Sequence, residues 1–330
     1  MKRTLICAKG LLILMATALI ISCEGPAGMD GVDANSTCKQ CHNDANMTLK
    51  SVEYNLSGHA AGAYVGYAGG RKSCARCHSN EGFIETLHTG RDTTAADIPI
   101  PTHISCETCH DFHESLDFEA DGPDFALRAK DPVTFIINGE TVDFEASSNL
   151  CANCHQPRTA GPSLADETFR ISSTHWGPHH GPQATYVDGV GAVEFSGSES
   201  YPEPGSSTHA SAGACVMCHM GESTGEGSEM HGGHTFSANV TNCTACHTDA
   251  TTFDIGGVQT EVEGLLEEIA TVLAANNVLD AEGHVVPGTY SSTLAAAYYN
   301  YIGIEEDRSM GVHNPEYIIA VLKNTLAAIK

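Results

Sequence analysis

Positive charge is scarce in this chain: 16 Lys and Arg stand against 41 Asp and Glu in 330 residues, a net of −25. That balance excludes nucleic acid as a partner, because binding a polyanion requires a basic footprint. It repels small anions weakly and suits cationic or basic protein surfaces. Long apolar runs are missing after residue 22, so no mature segment reads as a membrane span. Between Cys38 and Asp254 the chain is dense in Gly, Ser, Thr, Asn and His and has few apolar stretches able to form a conventional core. Something other than aliphatic side chains must fill that interior.

The apolar run that does exist lies at the start. Lys2, Arg3 and Lys9 accompany Leu11 to Ile21, which is too short for a mature span and reads as a secretion signal over residues 1–22. Ile20-Ile21-Ser22-Cys23 resembles the lipobox of bacterial lipoproteins, which implies cleavage before Cys23 and acylation of its sulfur. Several acyl chains hold a protein stably at a membrane, where one does not. Glu24 replaces the Asp that marks inner-membrane retention, so the expected location is the outer membrane, on its periplasmic face or at the cell surface. Gly25 to Ser36 has no apolar periodicity, and residues 23–36 read as a flexible tether.

Two segments alternate around a tight-turn pair, Val133 to Phe144 around Asn138-Gly139 and Tyr186 to Phe195 around Asp188-Gly189, and both predict β-hairpins. Val258 to Leu279, Ser291 to Ile302 and Pro315 to Ile329 place apolar residues at helical spacing and predict three helices, with Pro315 in a first turn. Their apolar stripes suit either packing between subunits or covering the chain's own core.

The chemistry resides in one repeated pattern. Cys-x-x-Cys-His occurs six times, with thiol pairs Cys38/Cys41, Cys74/Cys77, Cys106/Cys109, Cys151/Cys154, Cys215/Cys218 and Cys243/Cys246. The closing histidines are His42, His78, His110, His155, His219 and His247. This is the attachment motif of c-type haem: each thiol adds to one vinyl group of a porphyrin, and the next imidazole lies beneath the iron. Disulfides, zinc sites or redox dithiols would not place a histidine after every pair. The thiol account closes, because Cys23 goes to lipid and Cys7 is discarded with the signal. Six haem c groups are expected, held by residues 37–254 and supplying much of the buried apolar surface, with folding dependent on them.

A haem that only carries electrons usually has both axial positions filled, whereas one that activates a substrate keeps one open. Twelve histidines lie outside the motifs: His59, His88, His103, His113, His175, His179, His180, His209, His231, His234, His284 and His313. His113 is too near His110 in sequence to reach the far face of the same porphyrin, so as a ligand it would serve another. The run Thr174 to Pro182 holds His175, His179 and His180 among rigid turn residues. His88, His231 and His284 read as ordinary solvated or hydrogen-bonded side chains. Met217, Met220 and Met230 are rival ligands, but surplus imidazole favours bis-His coordination and low potentials.

The last five motifs, with His209 before Cys215, Cys-x-x-Cys-His-Met at Cys215 to Met220, His234 before Cys243 and Gly311-Val312-His313 before a helix, resemble the pentahaem nitrite reductases and their multihaem relatives over about residues 55–330. The resemblance implies that His59 serves the haem of His155, His234 that of His110, His313 that of His219 and His209 that of His247. For the haems of His42 and His78 the candidates are His113 and His179, with His175, His180 and His103 as alternatives. In that family the active haem carries Lys in place of the motif His. Here Cys74-Ala75-Arg76-Cys77-His78 is complete, Tyr201-Pro202-Glu203 stands where a catalytic His is expected, and Gln156-Pro157-Arg158 replaces a calcium site. These departures argue against nitrite reduction.

The expected architecture is mainly α with much irregular loop, packed on haem, with small β-hairpins and a C-terminal helical segment over residues 255–330. The expected function is electron transfer by a lipid-anchored hexahaem cytochrome without catalytic residues, between redox proteins such as other cytochromes or a quinol-oxidising system, or to an extracellular acceptor. Two alternatives are a reductase of a small nitrogen or sulfur oxyanion at one open haem, and the subunit of a homo-oligomer or cytochrome filament.

Overall fold

The computed structural model describes residues 34–121, 124–145 and 147–330. Cys7, Cys23, the signal segment and most of the tether lie outside the described residues. The chain divides into two units, the first ending at Ser51 and the second running from Val52 to Lys330. In the first, α1 (Ala34–Cys41) carries the Cys38 to His42 motif and leads into α2 (Asp44–Asn55), whose last residues belong to the second unit. Residues 34–36, expected in the tether, are helical, because the helix that presents the first cysteine pair begins before it.

The second unit is mostly short helices joined by irregular backbone: α3 (Gly58–Ala61), α4 (Ala75–His78), α5 (Asn80–Thr89), α6 (Cys106–Cys109), α7 (Phe118–Asp121), α8 (Ser147–Ala152), α9 (Gln183–Asp188), α10 (Thr208–Ser211), α11 (Ala214–His219) and α12 (Val240–Cys243). Three long helices close the chain, α13 (Val258–Ala275), α14 (Ser292–Asp307) and α15 (Pro315–Ile329). Two antiparallel strand pairs complete the fold. The hairpin around Asn138-Gly139 is present, pairing β1 (Val133–Thr134) with β2 (Thr141–Val142) in the register Val133 to Val142, and Gly139 supplies the positive φ of its turn.

The hairpin expected around Asp188-Gly189 is not formed. Tyr186 to Asp188 end α9, and Gly189, at φ 89°, is its left-handed C-cap, the other common use of a glycine after a polar residue. The second strand pair joins β3 (Thr168–Ile171) to β4 (Gly288–Ser291) across a long stretch of sequence. The three C-terminal helices appear where their periodicity places them, although α13 stops at Ala275. The Asn276-Asn277 pair ends it, with Asn277 left-handed at φ 56°. Asn314 caps α15 by accepting from the Tyr317 amide, with Pro315 in the first turn.

The apolar core is unevenly distributed. The larger cluster joins Val262, Leu266, Ile269 and Leu273 of α13 to Ala295, Tyr298 and Ile304 of α14 and Tyr317, Ile318, Val321 and Leu322 of α15. The apolar stripes of these helices are therefore buried against one another. A smaller cluster gathers the β1–β2 hairpin with Ala152, Ala184 and Val187. From Val52 to Leu127, where two motifs lie, the buried apolar residues are Ala68, Ala75, Phe83 and Ala126. Phe112, Leu116, Tyr67 and Ile100 are exposed there.

Close packing fixes one motif in particular. The Ser79 hydroxyl accepts from the Gly82 amide at the start of α5, and Gly82 lies so near α4 that a Cβ there would stand 2.3 Å from the Ala75 carbonyl. Gly82→Ala is expected to cost about 1–3 kcal/mol by overpacking. It will also lower haem occupancy at Cys74 to His78, read by intact mass and by the midpoint of chemical denaturation.

Candidate functional site

Each motif is built as one helical turn. The His78 amide donates to the Cys74 carbonyl at 3.2 Å, His110 to Cys106 at 2.9 Å, His155 to Cys151 at 3.0 Å, His247 to Cys243 at 2.8 Å and His42 to Cys38 at 2.8 Å. The Cys215 motif lies within α11. Residues three and four apart face the same side of a helix, so each turn presents its two thiols and its imidazole together. None of the twelve motif cysteines is in a disulfide.

The fold brings a histidine from outside the motifs to the ring of each motif histidine in the second unit. Ring centroids are 6.1 Å apart for His59 and His155, 6.0 Å for His78 and His179, 6.1 Å for His110 and His234, 6.4 Å for His209 and His247, and 6.3 Å for His219 and His313. An imidazole nitrogen sits about 2 Å from a metal it ligates, so two rings on opposite sides of one iron have centroids about 6 Å apart. The five pairs share that spacing even though their interplanar angles range from 24° to 75°.

The outer ring nitrogens are held by acceptors, the usual arrangement when the other nitrogen binds a metal. Nδ1 of His110 lies 2.8 Å from the Phe125 carbonyl, that of His219 2.9 Å from Phe236, that of His209 2.6 Å from Val312, and that of His155 3.2 Å from the Gln183 side-chain oxygen. His313 Nδ1 is 2.7 Å from Asp307 Oδ1, and the His234 ring lies 3.6 Å from the Glu53 carboxylate. Glu53 is fully buried and also accepts from the Ser223 hydroxyl and the His234 amide.

Burial pushes the titration of His59 down to about 4, helped by the neighbouring His155. Burial, then Arg158 and the adjacent histidines, does the same to His179. His78 is lowered by burial and by Arg158. Rings kept neutral have a lone pair to give to a metal. His313 is the exception: burial opposes its charge, but the Asp307 carboxylate outweighs burial and raises it.

Several residues beside the rings hold left-handed backbone without being glycine: His179 itself at φ 79°, Ala126 after Phe125, Ala214 before Cys215, Phe236 at φ 55°, and Arg308 and Met310 before His313. Such conformations cost on the order of 1–3 kcal/mol each and gather where geometry is demanded by function. Phe236 is central, since its ring packs 4.9 Å from His59 and 5.9 Å from His234 while its carbonyl takes His219.

The remaining histidines are placed otherwise. His113 lies 3.6 Å from Asp124 and 5.3 Å from Phe118. His180 is exposed and contacts Glu306 at 2.6 Å, 5.2 Å from His179. His103 stacks near Tyr54, His231 reaches the Ser237 hydroxyl, His284 approaches Asp280 at 3.8 Å, and His88 and His175 are exposed. Met217 packs against Gly213.

The attachment turns also meet one another. The Cys77 side chain neighbours that of Cys154 and the Cys151 side chain that of Cys215, while Cys109 lies near both Cys151 and Cys154, and Cys218 near Cys243 and Cys246.

A solved structure described as the outer cell wall cytochrome OcwA superposes on 85% of this chain with a TM-score of 0.52 and 19% identity. The two chains share a fold. This chain corresponds to half the length of that structure's chain. No protein-family model matches the sequence, and no curated protein does. Within that fold, sequence reasoning missed the residues that orient the rings: Glu53, Phe125, Gln183, Phe236, Asp307 and Val312. Only tertiary contact identifies these, apart from the positive φ of Phe236 and Arg308, which no local residue type announces. Among the described residues no helix is long and apolar enough to cross a membrane.

Proposed function

We propose that this chain is an electron-transfer cytochrome of the cell envelope that carries six haem c groups, one on each Cys-x-x-Cys-His turn, and has bis-His coordination at the five turns of the second unit. The observation that carries the reading is the matched spacing of the five ring pairs, each made of one motif histidine and one other. Haem c supplies a one-electron iron couple, and the polypeptide supplies the rest. His59, His179, His234, His313 and His209 would hold the irons together with His155, His78, His110, His219 and His247 respectively. The cysteine contacts order the attachment turns as Cys74/Cys77, Cys151/Cys154, Cys215/Cys218 and Cys243/Cys246, with Cys106/Cys109 branching beside the second. Turns that touch keep neighbouring redox groups close, which is what a conduit requires.

Cys23 anchors the chain by lipid at the outer membrane, and likeness to a cytochrome of the outer cell wall supports an envelope setting. The acidic balance suits basic redox partners. A reductase needs an open iron, and a ring stands opposite the motif histidine at each of the five turns, so the conduit is preferred.

Intact mass of the matured protein will show six porphyrins, and electron paramagnetic resonance of the oxidised protein will show low-spin ferric centres. A strong high-spin signal with rapid cyanide binding would instead support the reductase.

A further inference from the structure

We propose that Asp307 makes the haem site of His219 and His313 the lowest in reduction potential of the five paired sites; the inference rests on the electron-transfer reading above. The outer nitrogens of His110, His155, His209 and His219 meet neutral acceptors, three carbonyls and an amide oxygen. Among the paired rings of the described residues, His313 has its Nδ1 at hydrogen-bond distance from a carboxylate, Asp307 Oδ1 at 2.7 Å. Glu53 is also anionic, but it stands 3.6 Å from the His234 ring and spends its oxygens on the Ser223 hydroxyl and the His234 amide. The Asp307 side chain is fully buried, so its charge is weakly screened.

A carboxylate can only accept, so the imidazole proton sits on Nδ1 and Nε2 is left for the iron. A carboxylate behind a ligating imidazole raises its basicity and favours the more oxidised, more positive metal. The helix dipole acts in the same sense. Asp307 ends α14, where the helix dipole is negative, and the left-handed Arg308 caps that end. Ser309 holds the carboxylate in place, its hydroxyl donating to Asp307 Oδ2 while accepting from the His313 amide at 3.2 Å. The Gln183 amide, which also faces His155, donates to the Asp307 backbone carbonyl rather than to its carboxylate, so it leaves that charge intact.

The position gives this a consequence. The Cys215/Cys218 turn lies between the Cys151/Cys154 turn and the Cys243/Cys246 turn. A low-potential site inside the row is the last to hold an electron. Electrons therefore rest on the sites to either side, and the conduit behaves as two reservoirs joined through a step that is occupied only in transit.

The test is an optically monitored potentiometric titration of the full holoprotein and its Asp307→Asn variant. Asn keeps the size and an acceptor oxygen but removes the charge. The lowest of the midpoints is expected to rise while the others stay in place, and one low-spin resonance set should change its g values with no high-spin signal appearing. A merely structural role would leave the potentials alone or scatter all of them. Ser309→Ala removes a donor that competes for the carboxylate, so it should shift the same midpoint in the opposite direction. This variant decides the matter if Asp307→Asn loses haem. Unchanged midpoints in a fully loaded variant, or movement of a different midpoint, overturn the proposal. Failure of the underlying reading looks different, since the unsubstituted protein would then show missing porphyrins or high-spin iron.

Discussion

A variant with both Cys151 and Cys154 replaced by alanine will not accumulate as a folded protein lacking one haem; it will fail to fold. This attachment turn is the junction of the second unit: Cys154 neighbours Cys77, Cys151 neighbours Cys215, and both lie near Cys109. The chain from Val52 to Leu127, which neighbours this turn at Cys77 and Cys109, has little aliphatic core of its own, with Ala68, Ala75, Phe83 and Ala126 as its buried apolar residues among those described. The porphyrin stays bonded to its cysteines when the chain unfolds, but its burial and its second ligand belong to the folded state, so its removal takes away apolar surface that the thin aliphatic core here cannot replace. Circular dichroism of whatever protein is recovered should show no cooperative thermal transition. The matched change at Cys38 and Cys41 provides the contrast. It falls in the first unit, so residues 52–330 should stay folded and the mass should drop by one porphyrin. Equal damage from the two variants would refute a central role for the Cys151/Cys154 turn.

His59→Ala is expected to convert one ferric haem per chain from low to high spin and to admit one cyanide per chain, with the remaining haems unchanged. His59 stands 6.1 Å from His155 and is backed by Phe236 at 4.9 Å, so truncation leaves an apolar surface opposite His155 rather than another donor. His179→Ala should behave differently. His180 lies 5.2 Å from His179 and is exposed, held only by the Glu306 carboxylate, so it can turn to replace the lost ring. The resulting high-spin fraction should be smaller than in His59→Ala, and adding Glu306→Gln, which loosens His180, should shrink it further. A fully low-spin His59→Ala protein would show that His59 is not an axial ligand.

Much of this was written plainly in the residue order. The six attachment turns are local objects: Cys, Cys and His at fixed offsets close a single helical turn in the structure as they must to present three groups on one face. The long C-terminal helices were equally legible, because an apolar stripe with a 3.6-residue period needs no distant partner to be recognised. The hairpin at Asn138-Gly139 was legible for the same reason. Asp188-Gly189 misled, since a left-handed glycine serves both a hairpin turn and a helix end, and only the packing of Tyr186 and Val187 chooses between them. The pairing of Thr168–Ile171 with Gly288–Ser291 had no local signal at all.

The sequence by itself determined how many cysteine–histidine turns there are, which atoms each presents, and the acidic character of the surface around them, because these depend on residue identity and on spacings shorter than one helical turn. The tertiary structure decided which distant imidazole faces which motif histidine, that His179 rather than His175 or His180 lies opposite His78, and that Asp307, Glu53, Gln183 and backbone carbonyls orient the rings. Those contacts join residues separated by up to 181 positions, as Glu53 and His234 are. Their energies arise from burial and directed hydrogen bonds that exist only once the chain has closed on itself.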